Sequence, residues 1–161
     1  MSTGIQKYGN QRYIILVSGS AAETMQKLAS QAGQQETGGI LIGYYQDGQA
    51  RITEATPPPS DSRRSYARFE RGVNGLKAYL ADKWLSEPRE YYLGEWHSHP
   101  ATWARPSPTD HLQMRKILDD PNIDCACPIL IVVAGHSKPS PKFSIHVYDG
   151  MTKSPAPLYR C

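Results

Sequence analysis

Two histidines and an aspartate stand at a spacing that suits a metal ion. His97 and His99 are separated by one residue, and Asp110 ends a Ser-x-x-Asp run. Alternate residues of a strand project to one face, so the two imidazoles can point to the same side. Asp110 can join them if the loop after Pro100 turns the chain back. Because a catalytic zinc takes three protein ligands and leaves one position open, we predict one zinc ion per chain, bound by these three residues.

The run from Ser107 to Asp110 has a second, purely local interpretation. Serine at the N-cap, proline at the first helical position and an acid at the third are typical of a helix start. The two interpretations compete for Asp110, because a carboxylate that folds back as a cap is not free to point fully at a metal. We assign Asp110 to the metal and expect a helix from Ser107 or Pro108 to about Asp119.

Glu36 stands before a run of glycines and aliphatic residues that indicates a buried strand. Alone it would be a surface acid beside a turn, but the His-x-His motif makes it a candidate residue of the same site. Because glycines permit close approach, we expect an extended peptide to add along this strand, with Gly38 and Gly39 as substrate contacts. Trp103, between His99 and Ser107, is a further candidate substrate contact; the alternative is that it anchors the loop.

Apolar runs and turn signals predict the elements that position these residues. The expected strands are Tyr13–Val17, Ile40–Tyr45, Arg51–Ala55, Tyr91–His97, Pro128–Val133 and Lys142–Tyr148, with a further one at Tyr66–Glu70. Helices are expected from Ser20 to about Ala32, from Arg71 to Leu85 and after Ser107, with inner faces formed by Met25, Leu28 and Ala29, by Val73, Leu76, Tyr79, Leu80 and Trp84, and by Leu112, Ile117 and Leu118. This order predicts an α/β (α+β) fold in which helices cover both faces of a mixed sheet.

The composition is that of one globular domain. The 161 residues are 39% hydrophobic and 20% charged, and we expect a single domain whose residues 1–12 and 151–161 are flexible. A net charge of +3 is too small to indicate nucleic-acid binding, although the arginines between Arg63 and Arg71 form either a solvated loop or a partner site. No apolar run is long enough for a bilayer and no leader is evident, so we expect a cytoplasmic protein without a membrane partner. Cys125 and Cys127 are expected to be buried thiols, without the further ligands that a second metal site needs.

With these residues in place, the chain resembles the JAB/MPN+ metalloprotease family, also called JAMM. The residues that match the family signature are Glu36 before Gly39-x-Leu41-x-Gly43, then His97, Ser98, His99, Pro100, Ser107 and Asp110. The resemblance covers nearly the whole chain and implies a single JAB/MPN (deaminase-like) domain. It implies zinc-dependent hydrolysis of a peptide or isopeptide bond after the C-terminus of a ubiquitin-like protein, with Glu36 as general base and Ser107 as a hydrogen-bond donor to the oxyanion.

The chain looks like the bacterial members of that family. Some of them sit in anti-phage operons, including the cyclic-nucleotide (CBASS) systems, beside ubiquitin-activating-like and ubiquitin-conjugating-like enzymes. The resemblance thus implies a ubiquitin-like protein or its conjugate as partner. Two alternatives stay open: processing of a sulfur-carrier protein by the same zinc chemistry, and a metal-free MPN scaffold in a larger complex. Such scaffolds typically lose metal ligands, and none is missing here.

Overall fold

A closed barrel of mixed strands forms the framework of the computed structural model, which describes residues 4–66, 68–101, 103–134, 142–151 and 155–161. The strands are β1 (Gln6–Gly9), β2 (Ile14–Val17), β3 (Gly38–Gln46), β4 (Gln49–Ala55), β5 (Arg63–Arg64), β6 (Phe69–Glu70), β7 (Tyr91–His99), β8 (Ile129–Ala134), β9 (Phe143–Val147) and β10 (Pro157–Arg160). The helices are α1 (Gly19–Ala32), α2 (Leu76–Trp84) and α3 (Pro108–Asp119).

The order of strands around the barrel places β3 and β7 side by side. Within the described residues the order is β1-β10-β9-β8-β7-β3-β4-β2, and β5 and β6 form a separate two-stranded hairpin. The pairs β2–β4 and β7–β8 are parallel, and the other pairs are antiparallel. The predicted mixed sheet of an α+β fold is confirmed, although its closure into a barrel was not foreseen.

Strand β8 shows why the sheet carries helices on both faces. Its alternate residues, beginning with Ile129, join a core that contains Met25 of α1. The residues between them, Leu130 and Val132, point the other way and pack with Met114 of α3. A strand covered on both faces reads as a continuous apolar run, which explains the uninterrupted hydrophobic sequence of β8.

Both ends of the described chain form strands, where the sequence indicated flexible ends. β1 pairs with β2 and β10, and β10 pairs with β9, so the two end strands close the barrel. Each has four residues and buries a single hydrophobic side chain, Tyr8 in β1 and Leu158 in β10. Strands held mainly by backbone pairing carry little hydrophobic pattern, and this is why the sequence did not reveal them.

Helix α2 is shorter than predicted and lies on the surface. It begins at Leu76 instead of Arg71, and none of its side chains is buried. Val73, Tyr79 and Trp84, which were assigned to an inner face, are 67%, 38% and 48% exposed. The apolar residues recur at helical spacing, but their contact with the sheet is limited: the ring centre of Trp84 lies 6.1 Å from that of Tyr91 in β7, and no side chain of the helix is buried.

Helices α1 and α3 match their predicted positions more closely. Met25 and Ala29 of α1 are buried, as expected, although its N-cap is Ser18 and not Ser20. In α3 the N-cap is Ser107, but the buried apolar residue is Met114, whereas Leu112 is 64% exposed. No helix in the described part of the chain is both long and apolar enough to cross a membrane.

Buried His146 in β9 predicts a pH-dependent stability. Burial, and secondly the charge of His111, lower the pKa of His146 to about 4. A backbone contact with Pro155 acts in the opposite direction and raises it. The unfolded chain takes up a proton here near pH 6.5, before the folded chain does, so unfolding is favoured as the pH falls from about 6.5 to about 4. The full shift corresponds to about 3 kcal/mol. Urea unfolding of wild type and His146→Gln across this pH range should show a flatter curve for the variant; parallel curves would contradict the assignment.

Candidate functional site

Strand β7 ends in the two histidines, and both rings reach the same carboxylate. The Nδ1 atom of His97 lies 3.1 Å from Oδ1 of Asp110, and Nε2 of His99 lies 3.0 Å from Oδ2. The three side chains are only 4%, 13% and 7% exposed, in the order His97, His99, Asp110. The structure therefore brings together the three residues that the sequence assigned to a metal.

Asp110 also caps helix α3. Its backbone N–H donates to Oγ of Ser107 over 3.1 Å, and its Oδ2 atom accepts the N–H of Ser107 over 2.9 Å, which completes a capping box. Asp110 thus caps the helix and also contacts both histidines, while its role as a metal ligand stays a prediction. A carboxylate has two oxygens and about four acceptor positions, and these serve both sets of partners.

The contacts within this group shift its proton equilibria. Burial alone would raise the pKa of Asp110, but its contacts with His97 and His99 hold that pKa well below the usual range. Burial would likewise lower the pKa of His99, but the neighbouring Asp110 more than offsets this and raises it. Asp110 is therefore an anion in the folded chain, which is the form in which a carboxylate binds a cation.

Glu36 is held beside the histidines because the residue that follows it is tied to β7. The N–H of Thr37 donates to Oγ of Ser98 over 3.0 Å, and the N–H of Ser98 donates to the carbonyl oxygen of Thr37 over 2.8 Å. This places Oε1 of Glu36 3.9 Å from Nε2 of His99, with the Glu36 side chain 13% exposed. Burial is the main cause that raises the pKa of Glu36.

The positioning role of Ser98 was not predicted, although a signal for it was present. Ser98 lies between His97 and His99, so its side chain leaves the opposite face of β7. There it accepts the N–H of Thr37 and is 2% exposed. The polar residue between the two candidate ligands was the signal, because its hydroxyl binds the backbone of Thr37, directly after Glu36.

Phe69 is a further neighbour of His97 that the sequence did not reveal. Its ring meets the imidazole edge to face, with the ring centres 5.4 Å apart, and it is buried. Two residues later, Arg71 Nε donates to both carboxylate oxygens of Glu95 over 2.9 and 2.8 Å. This ion pair attaches the segment after β6 to β7.

Gly38 and Gly39 begin β3 in crowded surroundings. β3 pairs with β7 from Gly38 onward and with β4 from Leu41 onward, so no peptide can add where both partners are present. The contact of Gly38 and Gly39 with a substrate stays a prediction. A methyl group on Gly38 would lie 2.7 Å from the ring of Phe69 and 2.9 Å from that of His97. On Gly39 it would lie 2.1 Å from the carbonyl oxygen of Thr56. The close approach that these glycines permit is taken up by the protein itself.

Trp103 lies on the surface of the loop between β7 and α3. Its side chain is 60% exposed, and the guanidinium of Arg105 stacks over the ring at 5.4 Å. The exposure leaves the ring accessible to a partner, whereas the contact with Arg105 fits the alternative that Trp103 anchors the loop. Its contact with a substrate stays a prediction.

The chemistry of the three residues fits a zinc ion. Two imidazole nitrogens and one carboxylate held in its anionic form are the donors of a catalytic zinc site. Within the residues that the structure describes, no three His, Cys, Asp or Glu side chains are spread around a common point as a group that could hold a metal. His97 and His99 instead contact different oxygens of Asp110 directly, at hydrogen-bond distance.

The sequence of this chain matches one protein family over most of its length. Residues 19–146 match a family described as prokaryotic homologs of the JAB domain. A protein of Enterobacter hormaechei subsp. hoffmannii, named CD-NTase/cGAS isopeptidase, is 40% identical over 125 residues, which cover 76% of this chain and 68% of that protein. A protein of Pseudomonas aeruginosa with the same name is 30% identical over 110 residues, covering 67% of this chain and 70% of that protein.

Two further similarities concern the chemistry and the fold. A protein of Sinorhizobium fredii named probable metalloprotease y4qB is 30% identical over 125 residues, which cover 76% of each chain. The solution structure of protein DSY2949 from Desulfitobacterium hafniense superposes with a TM-score of 0.60, covering 91% of this chain and 88% of that one. At 21% identity this second likeness concerns the fold alone.

The crowding around Gly39 predicts that its replacement affects stability. A Gly39→Ala chain must move the backbone of Thr56, because the new methyl group would overlap its carbonyl oxygen. Overpacking of this kind costs about 1–3 kcal/mol. Gly150→Ala is the matched control, since nothing lies within 4 Å of a methyl group there. Urea denaturation should show a lower midpoint for Gly39→Ala only, and equal midpoints would contradict the packing role.

Proposed function

Because the chain belongs to the family of prokaryotic homologs of the JAB domain, we propose that it is a zinc-dependent isopeptidase or peptidase that cleaves after the C-terminus of a ubiquitin-like protein. The observation that carries this proposal is the buried contact of one carboxylate, Asp110, with both His97 and His99. The names of the relatives, isopeptidase and metalloprotease, support the same class of reaction.

In this proposal His97, His99 and Asp110 hold the ion. Zinc, when bound, lowers the pKa of water toward neutrality and polarises the scissile carbonyl. Glu36 takes the proton of the attacking water and returns it to the leaving amine. Its position beside His99 and its raised pKa suit both steps, because a base whose pKa is nearer the working pH also serves as an acid.

Ser107 supplies a hydrogen bond to the oxyanion in the same scheme. Its Oγ already accepts the N–H of Asp110, which fixes the position of the hydroxyl oxygen. A serine hydroxyl has one proton to donate, and that proton is not used by the cap. A donor held in advance at the point where negative charge develops is worth about 10²–10³ in rate.

The proposed mechanism uses water as the nucleophile, so none of the cysteines has a covalent role in it. Burial raises the pKa of Cys125 to about 11, which disfavours the reactive thiolate at neutral pH. Cys127 and Cys161 are free thiols as well. The chemistry of the site is thus that of an activated water and not of a covalent enzyme intermediate.

The substrate that we propose is a ubiquitin-like protein or its conjugate. Two relatives are named CD-NTase/cGAS isopeptidases, which supports release of a protein joined through an isopeptide bond to an enzyme of that kind. We propose that this role belongs to an anti-phage system, with ubiquitin-activating-like and ubiquitin-conjugating-like enzymes as functional partners. Trp103, exposed beside the site, is the proposed aromatic contact for the substrate tail.

One prediction concerns the metal. We expect about one zinc per chain in purified wild type, measured by inductively coupled plasma mass spectrometry, and at least a tenfold lower content in His97→Ala, because three protein ligands become two. His111→Ala is the matched control, since the His111 ring hydrogen-bonds to Tyr148, 2.8 Å away, and not to the site. Equal zinc in wild type and His97→Ala would remove the assignment of the ligands.

Another prediction separates metal binding from catalysis. A ubiquitin-like protein that carries a short C-terminal extension should be cut once, as seen by mass spectrometry, with the activity lost on chelation and restored by zinc. Glu36→Gln should keep its zinc and lose about 10²–10⁴ in rate, because an amide cannot accept the proton.

The controls for that experiment are chosen on the protein and on the substrate. Glu23→Gln, an exposed residue of α1, should cleave at the wild-type rate. Loss of zinc in Glu36→Gln would make Glu36 a ligand and not the base. Equal cleavage of casein, an unstructured protein, would leave a hydrolase but refute the specificity for ubiquitin-like proteins.

A further inference from the structure

The hairpin of β5 and β6 carries a basic groove. A cavity of about 240 Å³ is lined by Arg63, Arg64, Ser65, Arg68 and Glu70. The one carboxylate among them, Glu70, pairs with Arg68. Arg63 and Arg64 are exposed and form no ion pair with any residue that the structure describes. The groove therefore presents two guanidinium groups that form no ion pair with a carboxylate of the described residues.

This basic groove adjoins the candidate catalytic residues through two contacts. The backbone N–H of Glu36 donates to the carbonyl oxygen of Ser65 over 2.8 Å. On the second strand of the hairpin, Phe69 packs against the ring of His97. Ser65 lines the groove and accepts the backbone N–H of Glu36, so a ligand in the groove would lie beside the candidate base.

The placement of the arginines is not explained by the stability of the hairpin. Each of its strands has two residues, and a hairpin this short gains little from its own pairing. Its attachment comes from the buried ring of Phe69 and from the contact with Glu36. Exposed side chains of Arg63 and Arg64 add nothing to either contact, so they are free to bind a ligand.

We infer that the basic groove binds an acidic segment of the protein substrate, next to the bond that is cut. Guanidinium groups pair with carboxylates through two parallel hydrogen bonds, which gives such a groove a preference for Asp and Glu over other residues. The inference rests on the proposed function. It specifies in addition that the substrate carries acidic residues next to the bond that is cut. A nucleic acid is a poorer match, because the net charge of the chain is only +3 and the groove spans a single short hairpin.

The test compares three versions of one ubiquitin-like fusion, with four acidic, four neutral or four basic residues beside the cleavage position. Wild type should cut the acidic version with the highest kcat/KM. Arg63→Glu/Arg64→Glu should lower kcat/KM for the acidic version about tenfold, mainly through KM, and change the neutral version less than about twofold. The preference of wild type should shrink between 50 and 300 mM salt, as expected for exposed charges.

The matched control is Lys7→Glu/Arg160→Glu, which makes the same change in charge on β1 and β10. It should keep the wild-type preference. Arg63→Lys/Arg64→Lys should keep only part of the preference, because lysine retains the charge but cannot form two parallel hydrogen bonds with a carboxylate. Zinc content and melting temperature, measured on every variant, identify a chain that has failed to fold. A loss of preference in the Lys7 and Arg160 control equal to that of the groove variant would overturn the inference, because it would show an effect of overall charge.

A binding measurement separates failure of this inference from failure of the proposed function. Fluorescence anisotropy of a labelled Asp/Glu-rich peptide should show binding to zinc-loaded wild type and at least tenfold weaker binding to Arg63→Glu/Arg64→Glu. If no fusion is cut but this difference is present, the groove stands and the proposed reaction fails. Cleavage without any charge preference, or binding of a single-stranded oligonucleotide more tightly than the acidic peptide, would overturn the inference.

Discussion

The site depends on one carboxylate that serves two structures at once. Asp110 closes the first turn of α3 through its capping box, and the same group faces both imidazoles at the end of β7. A helix cap is worth about 1 kcal/mol, and hydrogen bonds to a charged group about 1.5–3 kcal/mol. Without this carboxylate the helix would lose its cap and the buried imidazoles would lose their anion. The start of α3 is thereby locked to the end of β7, whatever the course of the loop between them.

The pairing of β7 with strands on both sides fixes the positions of the residues around Asp110. β7 is an interior strand, with β3 antiparallel on one side and β8 parallel on the other. Pairing with β3 brings Thr37 against Ser98, and this contact sets the position of Glu36. Pairing with β8 gives α3 an apolar surface on which Met114 is buried. Glu36 and Asp110 are thus positioned by opposite neighbours of the same strand.

The parts of this arrangement that are local in sequence were predictable. The two-residue period of a strand places His97 and His99 on one side, and Ser-Pro-x-Asp marks a helix start. The contacts between residues that are distant in the sequence could not be predicted. No local pattern shows that β3 has partners on both edges, that Phe69 contacts His97, or that no side chain of α2 is fully buried. The assignment of zinc and of a base rests on residue chemistry, and it stays a prediction beyond the geometry.

The buried ion pair of Arg71 and Glu95 constrains how this sequence can evolve. The carboxylate is 4% exposed and the guanidinium 20%, and each is the other's main countercharge. Removing one partner of a buried pair costs about 3–5 kcal/mol, which is a large part of the 5–15 kcal/mol that stabilises a typical domain. Replacement of both by apolar residues can be neutral. A chain with only one of the two residues replaced is therefore less stable than a chain with both or neither replaced. The two positions are thus epistatic and should be inherited or exchanged together.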